Sequence, residues 1–313
     1  MPGDVSILIV NWNGGAVLEA CLGSLPAAIG SMAAEIWVFD NASTDGSPAR
    51  IRQEFPDVHL HVNTDNCGFA AANNQAASEA QGRYFLLLNP DTRLSAGSIE
   101  ELFRSAEADP TIGVVGPRLN HADGSFQRSC WRGFPGLGMA LSEALYLWKI
   151  PQLPFARHIE FDPAHLTAPV DVDHLLGACL LIRRETWERV GGLDERFFLF
   201  LEETDWCFRA KQAGWRVVYD PRISVTHLGE YSVNQNPQRN LPQFYRSYVQ
   251  FYRKHFSLTP VRLGLLKTII AAAALLRIML WQFRALSRLG LAARQARAMQ
   301  AGYGRVLRDL LRL

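Results

Sequence analysis

Four short apolar runs in the first ninety residues, each cut off by asparagine, aspartate or glycine, limit the folds open to this chain. Val5 to Val10 ends in Asn11-Trp12-Asn13-Gly14-Gly15, and Ile36 to Phe39 ends in Asp40-Asn41-Ala42-Ser43-Thr44-Asp45-Gly46-Ser47. Val58 to Val62 runs into Asn63 through Gly68, and Tyr84 to Leu88 stops at Asn89-Pro90-Asp91-Thr92. An unbroken apolar run of this length, bounded by turn residues, reads as a strand covered on both faces. Segments of helical size lie between the runs. Leu18, Leu22 and Leu25 share one face of a helix closing at Pro26, and Ser47 and Pro48 offer an N-cap and first position for a second. A small, polar helix rich in alanine starts near Phe69. Strands alternating with helices predict an α/β chain with a doubly wound, mostly parallel sheet. Ligands of such sheets bind beyond the carboxyl ends of the strands. Asp91 stands at that edge, although Asn-Pro-Asp alone is also an ordinary turn sequence. Four polar termini along one edge make a pocket of nucleotide character.

Ile112 to Val115 reads as a further strand. Regularity fades between Arg132 and Ala168, a stretch with Gly133, Gly136, Gly138 and four prolines, read as a variable insertion over the site. It returns with Val170 to Asp173, Leu175 to Ile182 and a helix from Arg184 to Gly191-Gly192. Phe197 to Leu201 then reads as a buried strand that delivers Glu202, Glu203 and Asp205 to the start of a helix ending at Gly214. Carboxylates in a first helical turn offset the helix dipole, which accounts for two of the three. Val217 to Tyr219 and Ile223 to Thr226 are short strands leading to His227. A lone histidine there is more commonly hydrogen-bonded than a ligand.

Taken together these segments resemble the family 2 inverting glycosyltransferases, which have the GT-A fold and use nucleotide-diphosphate sugars. The likeness spans roughly residues 4–232 and rests on VFDNASTDGS (38–47), NCGFAAANN (66–74), LLLNPDT (86–92), GACLLIRRE (177–185), FFLFLEETDWCFR (197–209) and the segment from His227 to Ser232. Within the family the pattern looks most like rhamnosyltransferases and related enzymes of cell-surface polysaccharide synthesis. The resemblance implies that Asp40 meets the base of a dTDP- or UDP-linked donor. Asn11, Asn13, Asn41, Asp45, Asn66, Gly68, Phe69, Asn73 and Asn89 would frame the rest of the donor. It makes Asp91 a ligand of Mg2+ or Mn2+ and His227 a candidate second ligand; these cations suit oxygen-rich sites that leave room for phosphates. The family's base is the second residue of an acidic pair, commonly Glu-Asp. Here the aligned pair is Glu202-Glu203, so Glu203 is the candidate base and Asp205, four before Arg209, its support. The family also more often has aspartate where Asn89 stands, which leaves Asp91 as the one charged ligand of that motif. These departures keep open a sugar-nucleotide-binding protein without catalysis; a different donor sugar on the same scaffold also stays open, because sugar choice lies in pocket details that the sequence does not expose.

The formal charge of +2 hides an uneven chain. From Arg253 onward there are 12 Lys and Arg against one acidic residue, Asp309, a net +11; residues 1–252 hold 20 basic and 29 acidic residues and carry −9. Such a tail calls for an anionic partner. No run between Leu263 and Leu289 reaches the roughly 18 uninterrupted apolar residues of a spanning helix. Arg277, Arg284 and Arg288 instead fall on one helical line, with Leu275, Met279, Phe283, Leu286 and Leu289 on the far side. The expectation is a GT-A domain over 1–256 and a basic amphipathic tail over 257–313 that lies on an anionic membrane surface. Packing on the catalytic domain or on a second subunit is the alternative. No nucleic-acid module accompanies the basic helix, so nucleic acid is not expected as a partner. Five widely spaced cysteines without a C-x-x-C pair argue against a disulfide framework or a zinc knuckle. With no signal segment read at Met1, the expected location is cytoplasmic, peripheral on the inner face of the plasma membrane. A polyprenyl-diphosphate-linked saccharide fits that location as acceptor.

Overall fold

The computed structural model describes residues 3–127, 131–145, 166–229, 236–256, 259–286 and 291–312. In chain order the elements are β1 (Val5–Asn11), α1 (Gly15–Ile29), β2 (Ala34–Asp40), α2 (Ser47–Glu54), β3 (His59–Val62), α3 (Phe69–Glu79) and β4 (Tyr84–Leu88). Then come β5 (Thr92–Leu94), α4 (Ser98–Glu107), β6 (Ile112–Asn120), β7 (Trp131–Arg132), α5 (Leu137–Ala144), β8 (Val170–Asp171), β9 (His174–Leu175), β10 (Cys179–Arg183) and α6 (Arg184–Val190). The chain closes with α7 (Glu202–Gln212), β11 (Arg216–His227), α8 (Pro237–His255), α9 (Pro260–Leu286) and α10 (Leu291–Leu310).

The chain divides into two compact units. The first holds residues 1–132, 162–198 and 202–229 and is built on one sheet in the order β3-β2-β1-β4-β10-β6-β11-β5, with β8 beside β11. The expected α/β class is present, with helices flanking a central sheet. β3, β2, β1 and β4 run parallel, as do β6 and β11. The sheet is mixed, however, because β10 enters antiparallel between β4 and β6 and β5 pairs antiparallel with β11. The core is where the apolar runs placed it. Every residue of β4 is at most 1% exposed, and Ile7, Leu8 and Ile9 of β1 are fully buried. Side chains of this size contribute about 1.5–3 kcal/mol each on full burial. The chain steps outward from β1 to β2 to β3, then crosses to β4 on the other side of β1. The polar ends of β1, β2 and β4 therefore flank the point where the winding reverses, which is where open α/β sheets bind ligands.

Local departures from expectation have local causes. Pro26 lies inside α1 rather than ending it; so near the C-terminus it removes one hydrogen bond, while buried Leu25 and Ala28 hold the last turn down. Gly46, at φ 83°, precedes α2, and Ser47 is its first residue, its hydroxyl turned back to Asp45. The run from Leu175 to Ile182 breaks into β9 and β10. Phe197 to Leu201 is not a strand. Phe200 and Leu201 have φ of 69° and 65°, a left-handed conformation that no strand residue adopts.

The second unit holds residues 133–161, 199–201 and 230–313, so α8 groups with α9 and α10. Gly302 explains how closely α10 meets α8: a β-carbon there would stand 2.5 Å from the Pro237 carbonyl oxygen. α10 buries Ala296, Met299, Tyr303, Val306 and Leu310, while α9 buries Leu266, Ile270, Ala273 and Ala274. Gln300 reaches the Ile278 carbonyl and Arg277 covers the Tyr303 ring at 5.9 Å, so α9 and α10 run antiparallel. By length and composition α9 could also cross a membrane, because Lys267 and Arg277 interrupt its apolar sequence only twice over most of its length. Arg288 and Leu289 lie outside the described residues, as do Glu230 to Ser232 and 146–165 of the expected insertion.

Candidate active site

The ends of β1 and β2 are tied into one polar frame. Asn11 is fully buried and donates through Nδ2 to Asp40 Oδ2 at 2.7 Å and to Ser43 Oγ at 3.2 Å. Its Oδ1 accepts from the Gly14 amide at 3.1 Å, and a β-carbon on residue 14 would sit 2.2 Å from that oxygen, which is why glycine stands there. Asp40 is likewise fully buried, its second oxygen accepting from the Ser43 amide at 2.8 Å. Asn13, with φ 55°, reaches back to the same loop: its amide donates to Ser43 Oγ and its Oδ1 accepts from the Thr44 amide. Asp45 accepts from the Ser47 amide and hydroxyl. Burial opposes its ionisation, but these bonds and the Gly15 amide outweigh that and hold its pKa below the usual carboxylate range.

A second layer hangs the loop after β3 on this frame. Asn41 Nδ2 donates to the Gly68 carbonyl at 3.1 Å, and Asn41 Oδ1 accepts from Asn63 Nδ2 and Cys67 Sγ. Asn66 Oδ1 receives the Gly68 amide at 3.0 Å. Gly68 has φ 91° and faces Phe198, whose carbonyl oxygen would lie 2.7 Å from any β-carbon at 68 and also takes the Phe69 amide at 3.0 Å. Within the five-residue apolar stretch that looked like a strand, Phe198 therefore spends its carbonyl on the loop at the head of α3. Asn73, fully buried, braces that head by donating to the Phe69 carbonyl at 2.9 Å.

Beyond β4, Asp91 and His227 meet although they lie far apart in sequence. Asp91 Oδ1 is 3.3 Å from His227 Nε2, both residues are buried, and the Asp91 carbonyl accepts the Leu228 amide. Asn89 Nδ2 lies 3.4 Å from the same ring nitrogen. His227 Nδ1 is 2.9 Å from Gln127 Oε1, a residue that nothing in the sequence pattern singled out. An amide oxygen only accepts, so Nδ1 carries a proton toward Gln127, and Nε2 is the ring nitrogen that faces Asp91. Carboxylate and imidazole lone pairs at 3.3 Å require a proton or a cation to share. The donor set is thus suited to a divalent ion, with Gln127 fixing the tautomer as outer-shell partners of metal-bound histidines do. Among the described residues no third His, Cys, Asp or Glu joins the pair, which leaves coordination positions for phosphate oxygens or water.

The acidic pair opens α7. Glu202 is 5% exposed and its Oε2 has no hydrogen-bond partner among the described residues. Burial first, and the neighbouring Glu203 charge second, push its pKa well above the ordinary carboxylate range. Glu203 lies against Gly177, where a β-carbon would be 3.5 Å from its Cγ, and the next carbonyl, that of Ala178, accepts the Asn89 amide at 2.9 Å. One short span between β9 and β10 thus touches both the acidic pair and the Asn89–Asp91 turn. Asp205, fully buried, pairs with Arg209 at 2.9 Å, and that guanidinium also holds the carbonyls of Val190 and Gly192. Its surroundings are those of a support for α7.

Comparison with known proteins shows the family and the fold. Residues 6–163 match the family described as Glycosyl transferase family 2. The N-acetylglucosaminyl-diphospho-decaprenol L-rhamnosyltransferase of Mycobacterium tuberculosis is 31% identical over 261 residues, covering 79% of this chain and 83% of the relative. The low-salt glycan biosynthesis hexosyltransferase Agl10 of Haloferax volcanii is 28% identical over 218 residues, 68% of this chain and 63% of that protein. In fold the chain is similar to the mannosyltransferase PcManGT from Pyrobaculum calidifontis, solved with GDP-Man and Mn2+, with a TM-score of 0.57 at 18% identity over 99% of this chain and 88% of the other. With the family matched over half its length and a rhamnosyltransferase relative across four fifths of it, the chain belongs to glycosyl transferase family 2, a GT-A glycosyltransferase among enzymes of cell-surface glycan synthesis.

Proposed function

We propose that this glycosyltransferase moves L-rhamnose, with inversion, from a dTDP- or UDP-linked donor to a saccharide carried on a polyprenyl diphosphate. The observation that carries the reading is the span Gly177–Ala178, which packs against Glu203 on one side and holds the Asn89–Asp91 turn on the other. A base and a phosphate-binding corner are thereby brought to one edge of the sheet. Asp91 and His227 would hold Mg2+ or Mn2+, and when bound the ion would stabilise negative charge on the departing nucleoside diphosphate. Glu203 takes the proton from the acceptor hydroxyl as that oxygen attacks the anomeric carbon from the face opposite the leaving group. Glu202, pushed toward its neutral form, leaves the pair with one negative charge rather than two. Asn11, Asp40, Ser43 and Asn41 hold the two loops around the donor in shape, with the exposed edge of Asp45, Asn66 and Phe69 facing it.

The relative's printed acceptor, a decaprenol-linked sugar diphosphate, supports the lipid-linked acceptor, and Mn2+ in the structural neighbour supports the metal. The exposed side of α9 supports attachment to the inner face of the plasma membrane. Leu275, Met279 and Phe283 stand 53%, 55% and 72% exposed along it. The test is a thermal-shift screen of dTDP-, UDP- and GDP-linked sugars with and without Mn2+. Stabilisation by a dTDP or UDP sugar that needs the metal is expected; stabilisation by the GDP sugars alone would overturn the donor assignment.

A further inference from the structure

The cationic line expected on α9 is engaged inside the helical unit. Arg277 covers the Tyr303 ring at 5.9 Å and Arg284 the Trp281 ring at 4.8 Å. The cations that face outward lie on α10 instead, which holds Arg294, Arg297, Arg305 and Arg308 against one acidic residue, Asp309. All four arginines are exposed. At 100° per residue they fall within about 40° of one line, and from Arg294 to Arg308 that line runs roughly 21 Å. Ala296, Met299, Tyr303, Val306 and Leu310, the side chains that α10 buries, lie on the far side of the helix.

Arginine on an exposed helix face can serve solubility alone. A face of that kind gains stability by alternating its charges, because opposite charges three or four apart attract and like charges repel. Here Arg294 neighbours Arg297 and Arg305 neighbours Arg308, three apart in each case. Among the described residues none of the four meets a carboxylate; Arg305 Nη1 donates to the Gln238 carbonyl at 3.2 Å, and Asp309 is taken by Arg246 at 2.7 Å. Four unpaired guanidiniums in a row call for an anion outside the chain, and their forked donors fit phosphate oxygens.

We propose that the Arg294–Arg308 face of α10 docks on the phosphates of anionic lipid headgroups. This rests on the reading of membrane attachment and adds which lipids are selected and by which face. A straight row of cations complements a flat array of phosphates. The same unit also exposes Leu275, Met279 and Phe283 on α9, apolar side chains that a lipid surface takes up and a soluble polyanion does not.

The experiment measures binding of the full chain to vesicles of phosphatidylcholine alone and of equal parts phosphatidylcholine and phosphatidylglycerol. The anionic vesicles should be preferred, and raising salt from about 0.1 M to about 1 M, which shortens the Debye length from about 10 Å to about 3 Å, should remove the preference. Arg294→Gln, Arg297→Gln, Arg305→Gln and Arg308→Gln together should weaken binding to the anionic vesicles about a hundredfold or more, at about fivefold per arginine. Binding to neutral vesicles and Tm should stay unchanged, and lysine at the same four positions should keep the preference. If the fourfold variant does not fold, Arg294→Gln with Arg297→Gln and Arg305→Gln with Arg308→Gln should each lose about twentyfold. Equal affinity for neutral and anionic vesicles, or an unchanged preference in the glutamine variants, would overturn the α10 surface and leave attachment through α9 standing. Binding to neither vesicle would sink membrane attachment and the α10 surface with it. Inorganic polyphosphate bound as tightly as the anionic vesicles would also overturn the surface, assigning the arginines to a soluble polyanion.

Discussion

Replacing Glu203 by glutamine changes one group at the site and little of the fold. The side chain keeps its length, its contact with Gly177 and its place in the first turn of α7, but loses the ability to take a proton. A positioned general base is worth about 10²–10⁴ in rate, which is roughly 2.7–5.5 kcal/mol of barrier at 1.36 kcal/mol per tenfold. Glu203→Gln should therefore lower kcat by that factor, with donor affinity nearly unchanged because Asp91, His227 and the Asn11–Asp40 frame are untouched. The assay is initial-rate transfer of labelled sugar at saturating donor and Mn2+, with donor binding followed by thermal shift. The substitution also removes the charge that helps keep the Glu202 proton in place, so Glu202 in the variant titrates at lower pH than in the parent. Transfer within threefold of the parent would refute the assignment. A collapse of activity in Glu202→Gln with Glu203→Gln intact would move the base to the neighbouring residue.

Glu202 gives a pH-dependent prediction. Its pKa is raised in the folded chain above the unfolded value of about 4.3, so the folded state binds that proton more tightly. The associated stability is complete below the unfolded pKa and is lost as pH rises through the folded one. Glu202→Gln removes the loss, and its gain in Tm over the parent should grow from pH 4 toward alkaline pH; a gain independent of pH would contradict it. Asp91→Ala should abolish metal-dependent donor stabilisation while Asn89→Ala only weakens it, as thermal shift with and without Mn2+ will read. Gln127→Ala should cost about 10–100-fold in Mn2+ affinity by freeing the His227 tautomer, seen in a manganese titration. On α9, serine at Leu275, Met279 and Phe283 should leave Tm nearly unchanged, since all three are exposed. At about 1.5 kcal/mol or more per buried side chain, it should cut partition into anionic vesicles at least a hundredfold. Substitution is the sound test here. Truncating near residue 260 would strip α10 from α8, where Gly302 meets Pro237.

Wherever the structure depends on neighbours in the chain, the residues already declare it. Tyr84 to Leu88 is a strand because five apolar side chains in a row can be buried only between two covered faces, and Asn89-Pro90 cannot continue it. The start of α3 at Phe69 and the polar ends of β1 and β2 follow from the same local rules, whereas the roles proposed for Asp91 and Glu203 come from the resemblance of whole motifs. Tertiary structure alone decided what distant segments do to one another. The antiparallel entry of β10 has no signature in its own five residues, since a strand buried on both faces reads the same in either direction. Phe197 to Leu201 is apolar enough to mimic a strand, yet Phe200 and Leu201 take left-handed φ values and the Phe198 carbonyl accepts the Phe69 amide at the head of α3 instead of a ladder bond. His227 is matched to Asp91 and to Gln127 across more than a hundred residues in each case or close to it, pairings that exist only after β6 and β11 come together. Periodicity reports which face a residue turns inward; which partner waits there is settled by the strand order, and at this site the chemistry lies in the partners.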